Sequence, residues 1–108
     1  MKDNFAIVKP EGILDKVQTD ILRQDILKII ETPTKIILVD LEDISFMNSS
    51  GMGTLVATLK SVRAAGGDIY LCSLCDQIRI IFELTKIDMI FKIFRDRQDF
   101  ESQYTTRV

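Results

Sequence analysis

Ile36-Ile37-Leu38-Val39, followed through Asp40-Leu41-Glu42-Asp43-Ile44-Ser45-Phe46-Met47 by Asn48-Ser49-Ser50-Gly51-Met52-Gly53-Thr54-Leu55, is the stretch that decides the fold. Its first four residues form an unbroken, β-branched-rich run between the breaker Thr32-Pro33-Thr34 and acidic residues. That is the pattern of a central strand covered on both faces. Beyond Asn48 the period becomes helical: Met52, Leu55, Val56, Leu59 and Val62 share one face, and Gly66-Gly67 stops the run. A buried strand leading into an amphipathic helix is the repeating unit of a parallel sheet with crossover connections.

The same alternation extends outward in both directions. Phe5 to Lys9 reads as a short strand ended by Pro10-Glu11-Gly12. Lys16 to Glu31 reads as a helix capped by Asp15, with Val17, Ile21, Leu22, Ile26, Ile29 and Ile30 inward. After the double glycine come a strand over Asp68–Cys72 and a helix over Asp76–Lys86 with Ile78, Ile81 and Phe82 inward. A final strand over Met89–Phe94 and a short helix over Asp96–Gln103 complete the expected order. The expectation is an α/β fold: one domain over residues 1–108, with a mostly parallel sheet of about four strands and crossover helices.

Composition removes several function classes. The 108 residues contain no histidine, which excludes Ser-His-Asp and Cys-His catalysis, histidine metal ligation and a histidine pH switch. Fourteen basic residues against sixteen acidic ones give a net charge of -2, the wrong sign for neutralising nucleic-acid phosphates. No apolar run approaches the roughly 20 residues needed to cross a bilayer, and no basic-then-apolar leader opens the chain. The reading is therefore cytoplasmic, with no membrane insertion, metal or cofactor.

Chemistry-bearing residues gather where the central strand gives way to the helix. Asn48-Ser49-Ser50-Gly51-Met52-Gly53 places two hydroxyls and two glycines at a helix start, where unpaired N–H groups and the macrodipole favour an anion. Glycines there would let a partner's backbone or a phosphate approach Ser50. The plainest local reading is that Asn48, Ser49 or Ser50 caps the helix. A nucleophile elbow fails on Asn48 and on the missing histidine, and a P-loop fails for want of Gly-Lys-Ser/Thr. A dinucleotide fingerprint fails at Val56, where its third glycine would stand.

Other features have plain readings. Cys72-Ser73-Leu74-Cys75 lies where a redox motif would, but the apolar neighbours Leu71 and Leu74 favour ordinary packing. Asp40, Glu42 and Asp43 invite a magnesium reading, against which strand alternation favours solvated loop carboxylates. Arg95-Asp96-Arg97 reads as a solvated helix start. Phe46 and Met47 read equally as core plugs and as partner anchors.

The segment Asp43-Ile44-Ser45-Phe46-Met47-Asn48-Ser49-Ser50-Gly51-Met52-Gly53-Thr54-Leu55, with the strand before it, resembles the signature of the STAS domain, specifically of bacterial anti-sigma-factor antagonists. Gly12-Ile13-Leu14-Asp15 resembles the family's entry into its first helix, and Gly66-Gly67-Asp68 its next turn. The likeness spans about Phe5 to Phe94. It implies a regulator with no catalysis of its own, acting in transcription or stress signalling by partner switching. Ser50 would be phosphorylated by a cognate anti-sigma factor that is an ATP-dependent serine kinase, and a PP2C-type phosphatase would reset it. The unphosphorylated form would bind the kinase through a surface comprising Asp15, Met47, Asn48, Ser49, Ser50, Gly51, Met52 and Gly53. Ser49 would shape the loop, and Gly51 and Gly53 would permit close approach.

Two departures from the family pattern are visible. Asn48 stands where Asp is frequent, and only eleven residues precede Gly12, so the family's first edge strand is expected to be missing. The strand at Phe5–Lys9 would then expose an edge suited to a partner or to homodimer pairing. The resemblance also admits a second reading, a non-switching STAS subunit of a scaffold or of a transporter.

Overall fold

In the computed structural model, which describes residues 5–104, the run Ile36–Asp40 forms strand β3 and lies inside a four-stranded parallel sheet. β1 (Phe5–Val8) pairs with it on one side and β5 (Asp68–Cys72) on the other, with Phe5 opposite Ile36 and Ile36 opposite Asp68. β6 (Lys92–Phe94) closes the far edge, giving the order β1-β3-β5-β6. Ile37, Leu38 and Val39 are fully buried, as a strand covered on both faces requires.

Strand alternation sends these residues to two different cores. Ile37 and Val39 meet α1 (Lys16–Ile30), α2 (Ser49–Ala64) and α3 (Asp76–Leu84) in the main core, through Leu22, Ile26, Leu55, Leu59, Ile78 and Phe82. Leu38 points the other way, into a smaller cluster with Cys72, Phe94 and Phe100. The strand order advances steadily across the sheet, so right-handed crossovers put α1, α2 and α3 on one face. Among the described strands that order has no reversal, the feature beside which open α/β sheets usually bind nucleotides.

The opposite face is covered by α4 (Arg97–Tyr104). Phe100 lies at the centre of an aromatic cluster, edge-on to Phe5 and Phe94 at centroid distances of 5.0 and 5.2 Å and stacked on Tyr104 at 5.1 Å. A polar tie adds to it: Arg97 Nε donates to Asp40 Oδ2 at 2.9 Å, and the Glu42 amide donates to Asp40 Oδ1 at 3.0 Å. Asp40 is only 2% exposed, so it is not the solvated loop carboxylate expected, and Arg97 is not a free helix-start cation. Asp40 ends a strand that α4 meets through Arg97, a contact between distant segments that the linear sequence does not reveal.

The remaining differences from expectation are local. Gly12–Leu14 (β2) and Ile44–Met47 (β4) pair in parallel as a separate two-stranded ribbon, with Ile13 opposite Phe46 and Leu14 opposite Met47. Segments of three and four residues are too short to carry a periodic signal. The strand expected from Met89 starts only at Lys92. Lys86 adopts a left-handed conformation (φ 67°) and launches a 3₁₀ turn over Ile87–Met89, leaving Met89 78% exposed while Phe91 fills the core. In α1, Val17 and Ile21 face outward, and Thr19 takes a buried place beside Leu22 and Ile26.

β1 sits at the sheet edge and, among the described residues, pairs with β3 alone. Its four residues run into Lys9-Pro10, which limits the length of strand that could be added there. Lys9 ties this end of β1 to the β3–β4 loop through Glu42 at 3.1 Å and Asp43 at 3.7 Å, and the hydrogen bond to Glu42 raises its pKa.

Truncating Phe100 to Ala should cost about 3–5 kcal/mol in urea unfolding, the usual range for a buried aromatic. Hydrogen exchange should then quicken first in α4, since Phe100 is its buried residue.

Candidate functional site

The site is built where two helices start side by side. β2 and β4 run parallel, and each leads within two residues into a helix, so the starts of α1 and α2 lie at the same end of the ribbon. Asp15 caps α1: its Oδ1 accepts from the Gln18 amide at 2.9 Å, and its carbonyl accepts from Thr19 Oγ1 at 2.6 Å. Asn48 caps α2 in the same way, its Oδ1 accepting from the Gly51 amide at 2.8 Å.

That assignment settles which of the three polar residues is the cap. Asn48 takes the role, and Ser49 and Ser50 follow it in the first turn with both side chains exposed. The Asn in place of Asp keeps the capping acceptor while removing a negative charge from the helix start. Ser50 thus presents a hydroxyl not needed for capping, at the positive end of a 16-residue helix.

The two glycines do different work. A Cβ on Gly51 would lie 2.0 Å from the Leu14 carbonyl oxygen and 3.1 Å from Thr19 Oγ1. Gly51 is buried and lets β2 and α1 close against α2; it does not open a path to a partner. A Cβ on Gly53 meets nothing within 4 Å, so this glycine keeps the surface beside Ser50 low.

Met47 is 1% exposed and belongs to the main core, whereas Phe46 is 43% exposed. Met47, expected at the partner surface, is thus a core residue, and strand alternation leaves its neighbour Phe46 at the surface. Met52 is half-buried against the core. Ser49, Ser50 and Gly53 are the members of the expected set that reach the surface fully, with Asp15 and Asn48 half-buried as caps. Sequence reading missed Ile13, which pairs across the ribbon with Phe46, and Val17 and Ile21, all three exposed. A signal existed: Val17 and Ile21 fall off the 22-26-30 stripe that defines the inward face of α1.

Between α1 and α2 a groove of about 500 Å³ runs from Ser50 along Gly53, Thr54, Ala57 and Ser61, facing Lys16, Asp20 and Arg23. Its α2 wall is small and uncharged. Its α1 wall is charged, with Lys16 Nζ 3.0 Å from Asp20 Oδ2.

The other candidates are spoken for. Cys72 is buried and unbridged at the end of β5, and burial pushes its thiol up to about 11, far from the thiolate a redox motif needs. Cys75 is half-buried and precedes α3 without a side-chain capping bond. Among the described residues no three ligating side chains converge on a metal-sized space. Nor is any described helix long and apolar enough to cross a membrane.

A family model described as the STAS domain matches residues 1–100 of this chain. The chain belongs to the STAS family. This STAS domain is 33% identical over 84 residues to the anti-sigma-B factor antagonist of Staphylococcus aureus, covering 78% of each chain. Its fold superimposes on a putative anti-sigma factor antagonist from Thermotoga maritima with a TM-score of 0.79 at 22% identity, covering 90% of this chain and 84% of that one. It also superimposes on the Bacillus cell fate determinant SpoIIAA in its phosphorylated form, with a TM-score of 0.65 at 20% identity over 90% and 88% of the chains.

Two glycine replacements should separate the roles assigned above. Gly51→Ala should lose at least about 2 kcal/mol by overpacking against Leu14, whereas Gly53→Ala should be neutral or gain about 0.5–1 kcal/mol from helix propensity, both read from denaturant midpoints. The Cys72 thiol gives a pH expectation. Its folded pKa of about 11 lies above the ordinary thiol value of 9.0, so its contribution is complete below pH 9 and is lost as pH rises towards 11. A Cys72→Ala variant should show a flatter stability profile across that window.

Proposed function

We propose that this STAS domain is an anti-sigma-factor antagonist that binds an anti-sigma serine kinase when Ser50 is unmodified and leaves it when Ser50 is phosphorylated. The observation that carries the reading is the exposed Ser50 hydroxyl in the first turn of α2, spared from capping by Asn48. The name of the 33%-identical relative supports the partner class.

The chemistry asks little of this chain. The kinase moves the γ-phosphoryl of ATP to Ser50 Oγ: the new O–P bond forms as the β–γ bridge breaks, ADP departs, and the hydroxyl proton is released. A PP2C-type phosphatase hydrolyses the ester and restores the hydroxyl. On this reading the partner enzymes supply the general acid–base work, and this protein is binder and substrate.

A neutral hydroxyl fits into a close interface at little cost, whereas a phosphate brings about -1.5 to -2 charges that must be desolvated or repelled. Each 1.4 kcal/mol of that penalty lowers affinity about tenfold. The low surface at Gly53 and the exposed Ile13 and Phe46 nearby give the partner both close approach and apolar area.

Incubation with the kinase and ATP should add one phosphate, located at Ser50 by fragment mass spectrometry. Ser50→Ala should take none and stay bound in a pull-down, and Ser50→Asp should bind at least about tenfold more weakly. Absence of phosphate, or equal binding by all three forms, overturns the reading.

A further inference from the structure

The groove at Ser50 has one wall that can respond to what happens to that hydroxyl. Lys16, Asp20 and Arg23 lie on one face of α1, spaced so that they are neighbours on the helix surface. Their charges are shared unevenly. Lys16 Nζ is 3.0 Å from Asp20 Oδ2 and Arg23 Nε is 3.9 Å from Asp20 Oδ1, so two cations divide a single carboxylate. The facing α2 wall, including Gly53 and Ala57, has no charged side chain. The groove therefore holds one net positive charge with no counter-ion from α2.

We propose that a phosphate on Ser50 draws Lys16 and Arg23 away from Asp20, so that the groove captures the switch phosphate in cis. The inference rests on Ser50 being the phosphate acceptor. A phosphoryl group offers three strong acceptor oxygens and nearly twice the charge of the carboxylate, and charge-assisted hydrogen bonds to it outcompete those to Asp20. Lys16 and Arg23 carry long side chains that are 68% and 40% exposed and line the same groove as Ser50.

The exchange changes the surface as well as its charge. In the unmodified protein the groove is open beside Ser50, and a partner can use it. In the phosphorylated protein two α1 side chains bridge the groove to α2, and Asp20 is left as an unpaired surface carboxylate. The released state is then a filled groove, a stronger barrier to rebinding than a solvated phosphate alone.

The test places phosphoserine directly at position 50 by amber suppression, so the phosphate is present whatever the cognate kinase does. Its ³¹P resonance is followed through pH at about 0.1 M salt, where exposed charges further apart than about 10 Å are largely screened. An ordinary phosphoserine loses its second proton near pH about 6. Cations beside the phosphate favour the dianion, so its midpoint in the parent protein should lie at least about half a unit below that in Lys16→Gln/Arg23→Gln. The start of α2 acts equally on both proteins and drops out of the comparison. Asp20→Asn, which frees both cations, should move the midpoint lower still. Circular dichroism melting of the unmodified variants should match the parent, since all three side chains lie at the surface. Coincident titrations of the parent and the double variant, or a rise with Asp20→Asn, overturn the capture. Failure of the kinase to modify Ser50 would instead appear as missing phosphate in the transfer assay and leave this titration unaffected.

Discussion

The contact on which the site depends is the approach of the Leu14 carbonyl to Gly51, where even a methyl group would sit 2.0 Å from the oxygen. Because nothing projects from Gly51, the end of β2 rests on the first turn of α2, and the Asn48 amide donates to that same Leu14 carbonyl at 3.3 Å. This closure brings the starts of α1 and α2 together. It turns Ser50 outward, Gly51 inward and Gly53 to open surface, one helical turn thus serving packing and exposure at once.

The rest of the architecture holds that turn still. β3 is buried on both faces, and its alternating side chains serve the three-helix core on one side and the aromatic cluster under α4 on the other. The buried Asp40 carboxylate, held by Arg97, joins the end of β3 to α4. Rigidity of this kind suits a recognition surface, because a preorganised partner loses less conformational entropy on binding.

The hydroxyl, the low glycine surface and the apolar pair Ile13 and Phe46 make a face that a close-fitting partner can cover. The charges of α1 lie along the same groove. The missing histidine fits the proposed function, in which other proteins would bring the chemistry to Ser50.

The parallel α/β order, the central strand at Ile36–Val39, the cap at Asp15 and the Ser50 loop were legible in the sequence, because each rests on local period or local hydrogen bonding, whereas the cap of α2 stayed open among Asn48, Ser49 and Ser50 until the Asn48–Gly51 bond decided it. It did not reveal the β2–β4 ribbon, whose strands are too short to have a period. It also left Phe46 and Met47 undivided until pairing fixed which face each occupies. Only the tertiary structure decided that Gly51 serves packing, that Asp40 is buried beneath Arg97, and that Lys16, Asp20 and Arg23 flank Ser50. Each of those depends on a contact between segments distant in the chain, and the energy of such a contact is set by the approach of two surfaces, which neither segment encodes alone.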